Sequence, residues 1–261
     1  MTTPAAERPI GVDVSKYNVS SNVKVIWNPD TAKKRIDFVI QRASYGGFYG
    51  SQVTDESFEQ MWQQVRKIPI RGAYHYYSSH SNWKIQADYF LNLVEKKDYH
   101  FFAIDYELAF NTLDKRTTAE FIAFVDYVKE QTKKKTLAYF NYSSFISYFK
   151  PFGYSNWVNT NDIWYAWYPY QESETPPSVV RLPEGMLNWK MNQYGAGDLQ
   201  NTAGYMAGAN YGGGMRGIDL NQYNGSIDDL YSWAVGKEPI VKEPTDEEKL
   251  KLLWEAHPEL H

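Results

Sequence analysis

FFAIDYEL, residues 101–108, is an apolar run that ends in two carboxylates one residue apart, Asp105 and Glu107. Side chains alternate faces along a strand, so the two acids share one face and Tyr106 takes the other. Two acids on one face raise each other's proton affinity, and burial raises it further. An isolated D-x-E also reads as a strand that has ended in a solvated loop. The surrounding sequence decides between them.

Similar short, β-rich runs flank it on both sides: PIGVDV (9–14), FVIQRA (38–43), RGAYHYY (71–77), TLAYF (136–140), IWYAWY (163–168), WKMNQY (189–194) and GIDLNQY (217–223). Their starts lie 26–35 residues apart. Eight strands at that spacing are the count for an α/β barrel closed on itself. Helical periodicity fills the connections at 55–67, 83–97 and 117–135, and does so weakly at 28–36 and 141–150. Prolines at 169, 176, 177 and 183 and the glycine-rich stretch 195–217 break the pattern later. The expectation is a TIM-like barrel with about five helices, its last three connections being loops or hairpins. The glycine-rich stretch has no Lys-Ser/Thr pair after it and is not read as a phosphate loop.

Residues 1–236 form the expected barrel. KEPIVKEP (237–244) reads as a linker, and Thr245 with Glu248 opens a short capped amphipathic helix carrying Leu250, Leu253 and Trp254. That tail is expected to dock on the barrel or to lead toward another module.

In such a barrel the chemistry gathers where strands end. Asp13 closes the first strand, Arg42 the second, Asp105 and Glu107 the fourth, and Asp219 the eighth. The eighth strand of a closed barrel neighbours the first, which brings Asp13 and Asp219 together. Tyr139 and Trp164, at the ends of strands five and six, are candidates to orient and stack a ligand. Tyr74 and Tyr76 share a face of strand three. Aromatic residues make up 17% of the chain, many in polar contexts, as suits a cleft for flat ligands such as sugars or bases. The net charge is −4, of which −3 falls in residues 237–261, so the body lacks the basic footprint of a nucleic-acid binder.

The absence of cysteine removes disulfides, thiolate catalysis and Cys-based zinc sites. His75 and His80 lie five apart, without an H-E-x-x-H, so no metal or other cofactor is expected, and His75 reads as a hydrogen-bonded strand residue. A serine hydrolase would want G-x-S-x-G, which is missing. No apolar run approaches a membrane span and no signal peptide is visible, so no membrane insertion is expected.

Taken in order, GVDVSKYN, FVIQRASYGG, RGAYHYY, FFAIDYEL, LAYFNYSSF, IWYAWY, MNQYG and GIDLNQYNG resemble the glycoside hydrolase family 25 lysozymes over about residues 9–230. The resemblance implies a (β/α)5(β)3 barrel and cleavage of the β-1,4 bond between N-acetylmuramic acid and N-acetylglucosamine. It makes Glu107 the acid that protonates the leaving oxygen, Asp105 its partner, and Asp13 and Asp219 the further acids of the barrel mouth. Arg42, Tyr74, Tyr76, Tyr139, Trp164 and Gln193 are the expected substrate contacts. The nucleophile stays open between a carboxylate and the substrate's own acetamide. The implied partner is bacterial peptidoglycan, met by a monomer made in a host cytoplasm and released with holin-type help, as a phage or prophage endolysin. A non-catalytic wall-binding barrel is the alternative. The chain departs from the family's Lys-x-Thr-Glu-Gly after the second strand, where it reads Arg42-Ala43-Ser44-Tyr45-Gly46.

Overall fold

In the computed structural model the described residues are 8–18, 27–107, 111–168, 175–195, 209–212 and 218–236. The linker and capped helix expected at 237–261, and most of the glycine-rich stretch, lie outside them.

The strands are β1 (Ile10–Val14), β2 (Phe38–Gly46), β3 (Gln52–Thr54), β4 (Ile70–Tyr76), β5 (Phe101–Asp105), β6 (Lys135–Asn141), β7 (Ile163–Ala166), β8 (Met191–Gly195) and β9 (Asp219–Tyr223). Around the barrel the order is β1, β9, β8, β7, β6, β5, β4, β2, and β1–β2 pairing closes it. The eight expected strands are these. β3 is an addition, a short antiparallel hairpin partner on the end of β2.

Strand direction differs from a fully parallel barrel at one place. β9 runs antiparallel to both β8 and β1. Asp219 therefore opens its strand instead of closing it, yet it arrives at the same rim as the carboxyl ends of the other strands.

Helices α1 (Phe58–Val65), α2 (Trp83–Val94) and α3 (Lys115–Thr132) fall where the periodicity predicts them. Caps fix their starts: Asn82 accepts from the amides of Lys84 and Ile85, and Asp114 from that of Thr117. Between β6 and β7 the chain forms α4 (Tyr142–Ser144), a π-helical turn (Phe145–Phe149) and α5 (Ser155–Thr160). The first connection holds only 3-10 turns among the described residues, Lys16–Asn18 and Pro29–Thr31. One helix was not expected. α6 (Ile227–Val235) starts in a Ser226–Asp229 capping box and stops at Gly236, whose φ of 69° is the left-handed region that glycine favours.

Alternation along the strands builds two cores. Outward residues such as Val39, Ala73, Phe102 and Ile104 pack beneath the helices, while Phe38, Ile40, Ile70, Phe101, Leu137 and Met191 fill the barrel. Gly72 faces inward and makes room for the latter set. A Cβ there would stand 2.3 Å from the Phe101 ring. α6 packs against this inner set through Leu230 and Ala234, and the Trp233 ring lies 5.1 Å from that of Phe101. It closes the end where most strands begin. That leaves the opposite end as the open mouth.

Candidate active site

Asp13 and Asp219 are directly paired across β1 and β9, which places both side chains on one face. The Asp13 carboxylate, buried at 5% exposure, accepts from Asn221 Nδ2 at 2.7 Å and from Gln193 Nε2 at 2.8 Å. Gln193 Nε2 also reaches Asp219 Oδ2 at 3.5 Å. The orientation of each amide is enforced from behind. Gln193 Oε1 accepts from the hydroxyls of Tyr139 (2.8 Å) and Tyr168 (2.6 Å), and Asn221 Oδ1 accepts from Trp164 Nε1 at 2.7 Å. With their oxygens taken, both amides turn N–H toward the acids.

Asp105 ends β5 in register with Tyr76 of β4 and Tyr139 of β6. Its Oδ1 is buried and has no hydrogen-bond partner among the described residues. Glu107, half-buried, follows on the same side, and Asn111 Nδ2 holds its backbone carbonyl at 2.9 Å. Tyr106 points the other way into the helix-facing core, as the alternation predicts.

Arg42 enters the mouth from β2. Its Nε donates to Asp55 Oδ2 at 2.6 Å, and both groups are buried. Asp55 is otherwise satisfied by the amide of Lys16 and by the amide and hydroxyl of Ser57, so the buried pair is well solvated by protein. Arg42 Nη2 is buried without a partner among the described residues.

These contacts set the proton affinities. Burial raises Asp105 well above the ordinary carboxylate range and the charge of Glu107 raises it further, against the opposing pull of Arg42. Glu107 is raised by burial too, against the Tyr139 hydroxyl, with Asp13 adding to the shift. Burial also raises Asp13, although its bonds to Asn221 and Gln193 work against this. Burial disfavours the Arg42 cation, but Tyr74 and Asp55 more than restore it. The mouth thus holds several acids with strengthened proton affinity around one fixed cation, an arrangement able to donate a proton and stabilise a cation.

The aromatic candidates occupy two levels. Trp164 is 2% exposed, with the Tyr139 ring 4.6 Å away edge-on and the Tyr74 ring at 5.8 Å. Tyr74, Tyr139 and Trp164 therefore form the bed under the acids. Tyr76, half-buried, stands higher, beside Asp105. His75 lies on the outer face, where Ser44 Oγ (2.8 Å) and Gln86 Oε1 (3.1 Å) bond its two nitrogens. Among the described residues no group of three or more His, Cys, Asp or Glu is placed to hold a metal ion, and no helix is long and apolar enough to cross a membrane.

Sequence reasoning missed Asn221, Tyr168 and Asp55. Asn221 was legible, two residues after Asp219 on the same strand face. Tyr168 and Asp55 lie beyond strand ends, where alternation carries no signal.

Comparison with known proteins gives one family model, Glycosyl hydrolases family 25, matching residues 12–201. Among curated proteins the chain is 23% identical over 240 residues to the uncharacterized protein YegX of Escherichia coli K12, covering 89% of this chain and 76% of that one. Among solved structures it is similar to the bacterial lysozyme from Streptomyces coelicolor (TM-score 0.64, 22% identity, 88% of this chain and 98% of that one). It is also similar to the catalytic domain of endolysin ply40 from bacteriophage P40 of Listeria monocytogenes (TM-score 0.61, 21% identity, 87% and 98%). At these identities the structural likenesses establish the barrel alone. The family model spans most of the chain, including Asp13 and the Asp105–Glu107 strand, and on that match the chain belongs to glycosyl hydrolase family 25.

Proposed function

We propose that this protein is a peptidoglycan hydrolase of the N-acetylmuramidase type, cutting the β-1,4 bond on the reducing side of N-acetylmuramic acid. The observation that carries the reading is the pair at the end of β5: Glu107 with raised proton affinity, and beside it a buried Asp105 oxygen that no group among the described residues satisfies. Glycoside cleavage needs one protonated carboxyl at the leaving oxygen and negative charge near an oxocarbenium-like centre.

In the mechanism we favour, Glu107 gives its proton to the glycosidic oxygen as the C1–O bond breaks. The carbonyl oxygen of the muramoyl 2-acetamido group bonds to C1 from the opposite face, and the positive charge passes to its N–H. The Asp105 oxygen left without a partner among the described residues accepts that N–H; the positive charge developing there, together with Arg42, draws Asp105 to its ionised form against the burial and the Glu107 charge that raise its proton affinity. Water then attacks C1 as the C1–acetamide oxygen bond breaks and the acetamido group is restored, Glu107 recovers a proton from the water, and the anomeric configuration is retained. Asp13 supports the cycle by raising the proton affinity of Glu107. Tyr139 and Gln193 link Glu107 to Asp13, and Trp164 steadies the Asn221 end of the same network. Arg42, Tyr74 and Tyr76 complete the substrate-facing wall.

We further place the enzyme among wall-lytic proteins of phage or prophage origin, acting as a monomer on the wall after release from the producing cell. Its likeness to a Listeria phage endolysin supports this. Digestion of purified walls with mass analysis tests the chemistry. New reducing ends should appear on muramic acid, and Glu107→Gln should lower the rate on the order of 100-fold or more. Reducing ends on glucosamine, or liberated amino groups, would refute the assignment.

A further inference from the structure

The departure from the family's motif after the second strand has a structural counterpart. β2 and β4 slip register between Arg42 and Ser44: Arg42 pairs with Tyr74, whereas Ser44 pairs with His75 and Tyr45 with Tyr76. Strict alternation would turn Ser44 inward and Tyr45 outward. The bulge at Ala43 reverses this, burying Ser44 against His75 and bringing Tyr45 to the mouth beside Tyr76.

There Tyr45 shares two neighbouring cations with Tyr17, which rides on the 3-10 turn four residues after Asp13. The Arg42 guanidinium lies 5.2 Å from the Tyr17 ring centre and 5.4 Å from that of Tyr45. Lys16 Nζ lies 4.7 Å from the Tyr45 ring and 5.8 Å from the Tyr17 ring. Each cation is already matched by a carboxylate, Arg42 by Asp55 and Lys16 by Glu56 at 3.1 Å. Glu56 also accepts from the Tyr45 hydroxyl at 3.0 Å, so an acid from the following turn stands next to the residue that replaces the family's glutamate. Cation–π contacts and hydrogen bonds thus hold two aromatic rings at the rim, although Tyr17 is 70% exposed.

We propose that Tyr17 and Tyr45 form a sugar-stacking subsite on the β1–β2 side of the mouth, which binds a pyranose ring of the wall glycan next to the acids. This deepens the reading of the chain as a wall glycosidase and rests on it. N-acetylhexosamines in the β-1,4 series carry their ring substituents equatorially, so both ring faces present C–H groups that pack on a π surface. The cations have carboxylate partners, so the aromatic faces are the surface offered to the sugar ring. Fixing the rings in advance removes much of the ordering cost of stacking. Tyr45 in place of glutamate makes this subsite a property of this chain and a determinant of its glycan affinity.

The test measures binding, not turnover. A soluble tetrasaccharide of alternating N-acetylglucosamine and N-acetylmuramic acid is titrated calorimetrically into the full chain carrying Glu107→Gln, which prevents its consumption. Adding Tyr17→Ala or Tyr45→Glu should weaken binding about tenfold, while Tyr17→Trp should stay within twofold of the parent. Tyr45→Phe keeps the ring and should lose less than Tyr45→Glu. Unfolding midpoints of all variants confirm that each is folded; Tyr17, being exposed, provides the variant that leaves the core untouched. Equal affinity in parent, Tyr17→Ala and Tyr45→Glu, or no binding by the parent, overturns the subsite. Wall cleavage by the unaltered chain is scored separately: cleavage with unchanged binding in the variants removes the subsite alone, and absent cleavage with Tyr-dependent binding removes the enzymatic reading alone.

Discussion

Acidification should destabilise this barrel through one imidazole. His75 is fully buried between the Phe90 and Phe124 rings, 5.9 Å and 5.2 Å away, with Ser44 and Gln86 as its hydrogen-bond partners among the described residues. Burial lowers its pKa to about 4, against a slight upward pull from Gln86. In the unfolded chain the same ring titrates near 6.5, so the unfolded state takes up the proton first as pH falls. The contribution is fully present above about pH 6.5 and is lost progressively down to about pH 4, for a total of about 3 kcal/mol. By pH 4.5 about 2.5 kcal/mol of it should be gone. Asp13, Asp37, Asp105 and Glu107 have raised affinities and work in the opposite sense, because there the native state takes up the proton first. The difference between the parent and His75→Gln isolates the imidazole. Urea unfolding at pH 7.5 and pH 4.5 should show the parent's advantage shrinking by about 2.5 kcal/mol. An advantage equal at both pH values, or an imidazole NMR titration centred near 6.5, would refute the reasoning.

Two further outcomes follow from named contacts. Asn221→Leu removes a 2.7 Å donor from Asp13, and a hydrogen bond to a charged group is worth about 1.5–3 kcal/mol, so the acid limb of kcat/KM should move up by about 1–2 pH units; an unmoved limb would remove Asp13 from the titrating set. Gly72→Ala forces a Cβ to within 2.3 Å of the Phe101 ring and should cost about 1–3 kcal/mol, read as a thermal midpoint lowered by roughly 5 °C; an unchanged midpoint would contradict the inward packing of Phe101.

Much of the barrel is legible in the sequence because buried strands leave a strong local mark. Runs such as FVIQRA and FFAIDY alternate, recur at a steady interval and are bounded by turn residues, and all eight became barrel strands. The acids at their ends could be placed for the same reason, since the end of a strand fixes which rim a side chain reaches. Direction is a different matter. Nothing in GIDLNQY states that it runs antiparallel, because alternation is the same read either way; only the neighbour on each side decides it. α6 escaped notice because nine residues give too few turns for a helical period to stand out; its stability comes from the barrel floor it covers with Leu230, Trp233 and Ala234. The bulge at Ala43 is likewise invisible to a period-2 reading, which would place Tyr45 on the wrong face. Side-chain chemistry shared across strands, such as Gln193 between two tyrosines and two aspartates, has no local signal at all.

The Asp13 carboxylate is bonded by side chains 180 and 208 positions further along the chain. On a ribosome, β1 emerges with its acid long before either partner exists. Contacts of such sequence separation form late, because the loop between them must be closed first. A nascent or prematurely ended chain lacking β8 and β9 therefore holds Asp105 and Glu107 on β5 but neither the Asp13–Asp219 pair nor the amides that orient it. The mouth is therefore complete only with the last strand, and a partial chain carries Asp13, Asp105 and Glu107 without the assembly that brings them together.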